Sequence, residues 1–198
     1  MDQAPLAKTI IETLESSGKF RSVELIGSVA DGTQDEYSDI DLLIQDDSRP
    51  PYENVELAST IIEASLGLLL RDWARSLIPD KYLINQFLPG VPIFWWIDIG
   101  CLSSPEYDDL SPFEIDWDLN EHFAKLIMMS AKHYLRGDLD RLCIRQIHRR
   151  LFRDAPDDLP VKELFRQIYD RIDYTTISPE FHEKTKVVME DVYAKAFT

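Results

Sequence analysis

Residues 23–45 read VELIGSVADGTQDEYSDIDLLIQ, and this stretch decides the fold of the chain. The apolar residues before Gly27 predict a buried strand that ends where glycine allows a close approach of the backbone. The apolar run at residues 40–44, rich in branched side chains, predicts a second strand. Since side chains two positions apart on a strand share a face, Asp39 and Asp41 are expected to point away from the core together.

The two aspartates and the Gly-Ser pair predict a metal site beside a phosphate-binding turn. Neighbouring carboxylates repel each other unless a cation lies between them, and oxygen ligands on a rigid strand suit Mg²⁺. Backbone N–H groups around Gly27 and Ser28, followed by a predicted short helix, suit phosphate oxygens. The alternative is an ordinary hairpin with Asp39 and Asp41 exposed at its turn, which explains the Gly-Ser pair less well.

This arrangement resembles the pattern of the DNA polymerase beta-like nucleotidyltransferase superfamily: a hydrophobic strand, Gly-Ser, a spacer of about ten residues, and Asp-hydrophobic-Asp in a second strand. Within that superfamily the chain looks most like the small-molecule members, of the aminoglycoside and lincosamide type. The resemblance implies Mg²⁺ as cofactor and ATP or another nucleoside triphosphate as substrate. It also implies that Asp39 and Asp41 are catalytic metal ligands and that Gly27 and Ser28 bind the nucleotide.

A third carboxylate, Asp98, lies alone in the apolar run VPIFWWIDIGCL at residues 91–102. An isolated carboxylate in such a run is costly unless it is paired with a cation or a donor. The superfamily has a third acidic residue on a later strand, and the resemblance assigns that position to Asp98, as a metal ligand or as the base near the acceptor hydroxyl. The alternative is an aspartate at a strand end that faces water.

The whole chain of 198 residues predicts an α+β fold: a small mixed β-sheet nucleotidyltransferase domain with flanking helices, followed by a C-terminal helical bundle. We expect the first domain at residues 1–105 and the second at residues 115–198. The predicted elements are helices at 5–17 and 55–78, the latter with a break near Gly67, strands at 82–88 and 91–102, and helices at 119–136, 139–152, 161–174 and from 179 onward.

Basic residues of the second domain supply further candidates. Lys125, Lys132 and Arg136 share one helical face, and the segment SAKHYLRGDL looks like the corresponding helix of aminoglycoside nucleotidyltransferases. That resemblance makes Lys132 and Arg136 candidates for nucleotide binding, with a solvated basic face as the alternative. Arg141 and His148 resemble the Arg…His pair of helical ribonuclease domains, although such a pair more often lies on a helix surface.

Composition limits the partners and the location. A net charge of −15 and a pI near 4.6 argue against a nucleic-acid partner and favour a cationic small molecule. The chain opens MDQAPLAK, without a basic and apolar leader, and contains no apolar run of membrane-spanning length, so we expect a cytoplasmic protein with no membrane partner. Cys101 and Cys143 lack metal-ligand spacing and are expected to be reduced.

These observations predict a Mg²⁺-dependent enzyme that transfers a nucleoside monophosphate, AMP from ATP, to a hydroxyl of a small acceptor such as an aminoglycoside-like antibiotic. Two alternatives stay open. One is a nucleotidyltransferase of toxin–antitoxin type that modifies a partner protein, and the other is a catalytically inactive nucleotide-binding domain. The sequence is compatible with a monomer and with a homodimer.

Overall fold

The computed structural model describes residues 3–104, 106–107, 117–153 and 158–195. The chain divides into two compact units, Met1–Trp117 and Asp118–Thr198. The predicted domain limits, 1–105 and 115–198, stay a prediction. None of the described helices combines the length and the apolar character that crossing a membrane requires.

The first unit is built on a five-stranded mixed sheet. Its strands lie in the order β1-β2-β5-β4-β3, with β2 parallel to β5 and every other neighbouring pair antiparallel. The predicted mixed sheet with flanking helices is therefore confirmed. The strands are β1 at Ser22–Ile26, β2 at Ile40–Gln45, β3 at Leu70–Trp73, β4 at Lys81–Phe87 and β5 at Ile97–Leu102.

In the described part of this unit, three α-helices accompany the sheet: α1 at Ala4–Ser16, α2 at Gly27–Asp31 and α3 at Pro51–Leu66. The apolar stripes of α1 and α3 pack against one face of the sheet and form the core of this unit with it. The fully buried members of that core include Ala7, Ile10, Leu14, Ile40, Ile44, Val55, Ala58, Ile62, Ile97 and Ile99. The opposite face of the sheet carries the polar residues that concern function.

Two elements of this unit differ in extent from their predictions, although the predicted break near Gly67 is confirmed. The helix expected at 55–78 begins at Pro51, because proline fits the first turn of a helix, and ends at Leu66, because Gly67 takes a φ of +81°. The residues beyond it form β3. The strand expected at 91–102 begins only at Ile97, since the Trp95 N–H donates to the carbonyl of Pro92 within a turn at 3.0 Å.

The second unit contains the helices α4 at Leu119–Arg136, α5 at Ile144–Leu151, α6 at Val161–Arg171 and α7 at Pro179–Ala194. Helix α4 packs against the other three, which confirms the predicted helical bundle. The helix expected at 139–152 is shorter, because residues 139–141 form a separate 3₁₀ turn before α5. Likewise α6 ends at Arg171 rather than at residue 174.

Candidate active site

The first functional feature is the alternation of burial along β2. Ile40, Leu42 and Ile44 are buried in the core, and Asp41 lies between them on the opposite face, where it is half-buried. Asp39 directly precedes the strand and is also half-buried. The local pattern therefore agrees with the prediction that both carboxylates point away from the core.

Asp41 and Asp98 lie side by side. They are register partners on the adjacent parallel strands β2 and β5, so their side chains share one face of the sheet. Asp98 is half-buried, as Asp41 is. Asp39 lies two residues before Asp41. All three predicted carboxylates are therefore near the N-terminal ends of the parallel strands β2 and β5.

The Gly27–Ser28 turn lies beside the same strand ends. Ile26, the last residue of β1, pairs with Asp41, and the chain then turns into α2 at Gly27. Gly27 has a φ of +72°, and a Cβ atom at this position would lie 2.3 Å from Oδ2 of Asp41. Glycine is therefore required here both by the backbone conformation and by the neighbouring carboxylate. Ser28 follows in the first turn of α2, where it is half-buried.

The loop before Asp39 is held by side-chain hydrogen bonds. Gln3 is only 3% exposed, and its Nε2 donates to the carbonyl oxygens of Asp35 at 2.6 Å and Ser38 at 3.4 Å. The Ser38 hydroxyl donates to Oδ1 of Asp35 at 3.0 Å. At the other side of Asp39, the Ile40 N–H donates to the carbonyl of Trp96 at 3.0 Å. Asp39 is thus anchored on both sides by the fold.

Sequence reasoning missed two residues of the same face, Asn85 on β4 and Asp72 on β3. Asn85 pairs in register with Asp98, and its Nδ2 donates to Oδ1 of Asp98 at 2.6 Å. Asp72 pairs with Asn85 and accepts a hydrogen bond from Nε1 of Trp117 at 3.1 Å. A signal was available for Asn85, because an asparagine inside the apolar strand KYLINQF needs a partner.

The carboxylates fit a divalent cation by the chemistry of their donor atoms, since hard oxygen ligands suit Mg²⁺. Asp39 and Asp41 are the residues that would hold it, with Asp98 as the third candidate. Across the described ranges, no group of three or more His, Cys, Asp or Glu side chains forms a ready-made metal cluster. The predicted metal and catalytic roles of the three aspartates therefore stay predictions.

Lys132 and Arg136, the predicted nucleotide-binding cations, lie on α4 in the second unit. Their helix does not present a fully solvated basic face, because Lys125 is 4% and Lys132 is 6% exposed. Burial lowers the pKa of the neighbouring His133, and the charge of Lys132 adds to that effect. The role of Lys132 and Arg136 in nucleotide binding stays a prediction.

His148 does not lie on a helix surface. It is 2% exposed, its Nε2 is 2.8 Å from Oε1 of Gln167, and its ring stacks on Phe152 with a centroid distance of 4.7 Å. These contacts give it a structural role in the second unit. Cys101 and Cys143 are free thiols, as expected, and burial raises the pKa of Cys101.

Comparison with known proteins gives a match to one family over part of the chain. Residues 7–87 match the family model of the nucleotidyltransferase domain, and this range contains the Gly-Ser turn, Asp39 and Asp41. The match covers less than half of the chain; it supports a nucleotidyltransferase domain and transferase activity, in agreement with the DNA polymerase beta-like superfamily. No match was found among curated proteins.

Two solved structures are similar to the chain at low identity. One is the polymerase core of TRAMP, an RNA surveillance complex, with 15% identity over 96% of this chain and a TM-score of 0.37. The other is the GLD-2/RNP-8 complex, with 10% identity over 98% of this chain and a TM-score of 0.40. The chain spans 57% of the TRAMP protein's length and 76% of the length of the other.

These matches correct one prediction. The expected absence of a nucleic-acid partner is at odds with the matched polymerase core of an RNA surveillance complex and is withdrawn. The physical reason is that net charge sums over the whole surface, whereas contacts to phosphates depend on where basic groups lie. The net charge of −15 therefore excludes no class of acceptor.

Proposed function

We propose that the chain is a Mg²⁺-dependent nucleotidyltransferase that transfers AMP from ATP to a hydroxyl of a small acceptor and releases pyrophosphate. The observation that carries this proposal is the register pair Asp41 and Asp98, with Gly27 packed against Asp41. A phosphate-binding turn and two carboxylates on neighbouring strands are the parts that this chemistry needs, because phosphoryl-type transfer depends on positioning and on charge neutralisation.

In the proposed reaction the acceptor oxygen forms a bond to the α-phosphorus. The bond between that phosphorus and the oxygen bridging to the β-phosphorus breaks, and pyrophosphate leaves. The Gly27–Ser28 turn would hold the triphosphate, and Asp39 and Asp41 would hold the metal. Bound Mg²⁺ supplies neutralisation of the phosphate charge. Asp98 would act as a further ligand or accept the proton of the acceptor hydroxyl.

The acceptor in this proposal is a cationic hydroxyl compound, such as an aminoglycoside-like antibiotic. Its support is the excess of acidic residues, which attracts cations to the protein surface. The acceptor class is the part of the proposal that most needs a direct test. A hydroxyl on a partner protein and the 3′ hydroxyl of an RNA are therefore included as competing outcomes.

The test is pyrophosphate release from each of the four nucleoside triphosphates with Mg²⁺, against aminoglycosides, lincosamides and an RNA oligonucleotide with a free 3′ hydroxyl. The double variant Asp39→Asn, Asp41→Asn serves as the blank. Asp31→Asn, an exposed carboxylate on α2 in the same segment, is the matched control and should behave as the unmodified chain does.

Release that depends on a small acceptor and vanishes only in the blank would support the proposal. Release that depends on the RNA, or label that appears on a partner polypeptide, would support the proposed reaction and would show that the acceptor is not a small molecule. Absence of both triphosphate turnover and Mg²⁺-dependent triphosphate binding would reject the enzyme. Asp98→Asn should abolish transfer while preserving the fold, and an active variant would remove Asp98 from the site.

A further inference from the structure

A row of polar side chains crosses the sheet on the face opposite to helices α1 and α3. Asp72 on β3 pairs in register with Asn85 on β4, Asn85 pairs with Asp98 on β5, and Asp98 pairs with Asp41 on β2. Register partners on neighbouring strands place their side chains on the same face. The four side chains therefore form one continuous row that ends beside the Gly27 turn.

Asn85 stands out among its neighbours on β4. Leu83 and Phe87 share its face of the strand, and both are apolar and buried. Asn85 itself is 3% exposed. An amide in this position loses its contacts with water, so packing alone would favour another apolar residue.

Within the described residues, the side chain of Asn85 forms a hydrogen bond with Asp98 alone. Its Nδ2 donates to Oδ1 of Asp98 at 2.6 Å, whereas its own Oδ1 is buried and has no hydrogen-bond partner within the described part of the chain. The negative carboxylate fixes the orientation of the amide, because the opposite orientation would bring two oxygen atoms together. The fold thus leaves one buried polar atom unsatisfied while it keeps the bond to Asp98.

We propose that Asn85 is a positioning residue that fixes the orientation of the Asp98 carboxylate for the transfer reaction. This inference rests on the proposed function. A short hydrogen bond from a buried, rigid strand holds one oxygen of the Asp98 carboxylate on the side of β4 and so restricts rotation of the carboxylate. Asn85 does not touch the reacting atoms, and it acts only through Asp98.

The adjacent residue Gln86 offers a matched control. It is also an amide on β4, it is fully buried, and neither of its amide atoms has a hydrogen-bond partner among the described residues. Because it follows Asn85 directly, its side chain points to the other face of the sheet. Asn85→Leu and Gln86→Leu therefore remove the same group from the same strand, and only the first removes a bond to Asp98.

We expect Asn85→Leu to lower kcat by roughly 10- to 100-fold, with KM for the triphosphate changed less than about twofold. Gln86→Leu should leave both constants unchanged. Asn85→Ala, which also lacks the donor and introduces no bulk or charge, should lose a similar factor and covers the case in which the leucine variant folds poorly.

Equal kcat values for the two leucine variants would overturn the inference. Crystal structures of both variants give a readout that does not depend on activity. The Asp98 carboxylate should be reoriented in Asn85→Leu and unchanged in Gln86→Leu, and an unchanged carboxylate in both would also overturn it. If the unmodified chain shows no transfer but the Asp98 carboxylate is reoriented in Asn85→Leu, the proposed function would be rejected. The conclusion that Asn85 orients Asp98 would still hold.

Discussion

A Cβ atom added to Gly27 would lie 2.3 Å from Oδ2 of Asp41, closer than any side chain can tolerate. The turn and the carboxylate therefore behave as one structural unit. Gly27 also has a φ of +72°, so any other residue here would strain the backbone and would displace the Asp41 side chain. The contact suggests an experiment that separates the two effects.

Gly27→Ala and Gly32→Ala form a matched pair. Gly32 ends α2 with a φ of +68°, and a Cβ atom there would meet no atom within 4 Å. We expect Gly32→Ala to lower the free energy of unfolding by about 1 kcal/mol and to leave transfer unchanged. Gly27→Ala should lower transfer by about 100-fold, because Asp41 must move. Transfer rates that are equal in the two variants would contradict this expectation.

Two helix starts in the second unit differ in their capping bonds. The side chain of Asp118 accepts a hydrogen bond from the N–H of Glu121 at 2.9 Å at the start of α4. Ser178 occupies the same position before α7 without a side-chain capping bond. We expect Asp118→Ala to lower the free energy of unfolding by about 1 kcal/mol and Ser178→Ala to leave it nearly unchanged. Urea denaturation of both variants tests this, and an equal loss in both would refute it.

Gln3 connects the start of α1 to the loop that precedes Asp39. Gln3→Ala removes the bonds to the carbonyls of Asp35 and Ser38 and leaves these groups to find other partners. We expect a loss of about 1–3 kcal/mol in the free energy of unfolding, because the amide is buried. Thr9→Ala, which removes an exposed hydroxyl from the same helix, is the control and should change stability little. A stable Gln3→Ala variant would show that the loop does not depend on this residue.

Stability should fall in mild acid because of two histidines. Burial lowers the pKa of both His133 and His182 below the ordinary 6.5. A group whose pKa is lower in the folded state contributes stability that is present above pH 6.5 and is lost as the pH falls through the folded value. His182→Gln should therefore show a shallower decline of unfolding free energy between about pH 7.5 and 5.5.

The histidine effect is separable from that of the carboxylates. The bonds from Arg166 and Gln167 lower the pKa of Glu163 to about 2, so its contribution is lost only below the ordinary value of 4.5. The measured quantity is the slope with pH, which is insensitive to any constant loss from the missing contacts of His182 with Tyr169 and Tyr174. An unchanged slope in the variant would contradict the prediction.

The sequence predicted the parts of the fold that local patterns encode. Alternation of apolar and acidic residues around Asp41 places β2 correctly, and the isolated charge of Asp98 indicates a strand whose two faces differ. The prediction was wrong after Gly67, because Leu69 and Leu70 continue the apolar spacing of the preceding helix. Only a long-range contact, the pairing of β3 with β4, decides that these residues form a strand.

The register between strands lies beyond sequence reasoning for the same reason. The local pattern does not predict that Asn85 lies opposite Asp98, because this depends on the register in which β4 and β5 pair. The burial of Lys125 and Lys132 was likewise missed, because helical periodicity groups these side chains on one face and does not tell what covers that face.

The position of each strand in the sheet has a consequence for local opening. Among the described strands, β1, which leads to the Gly27 turn, lies at the edge of the sheet and pairs with β2, whereas β2 and β5 each have two neighbours. Amide protons at the edge of a sheet exchange with solvent at a lower cost in free energy than those at its centre. Protection from exchange should therefore rise from the Gly27 turn through Asp41 to Asp98. In the proposed reaction, the turn that would bind the nucleotide is therefore the part expected to open locally, whereas the carboxylates of the central strands are expected to keep their positions.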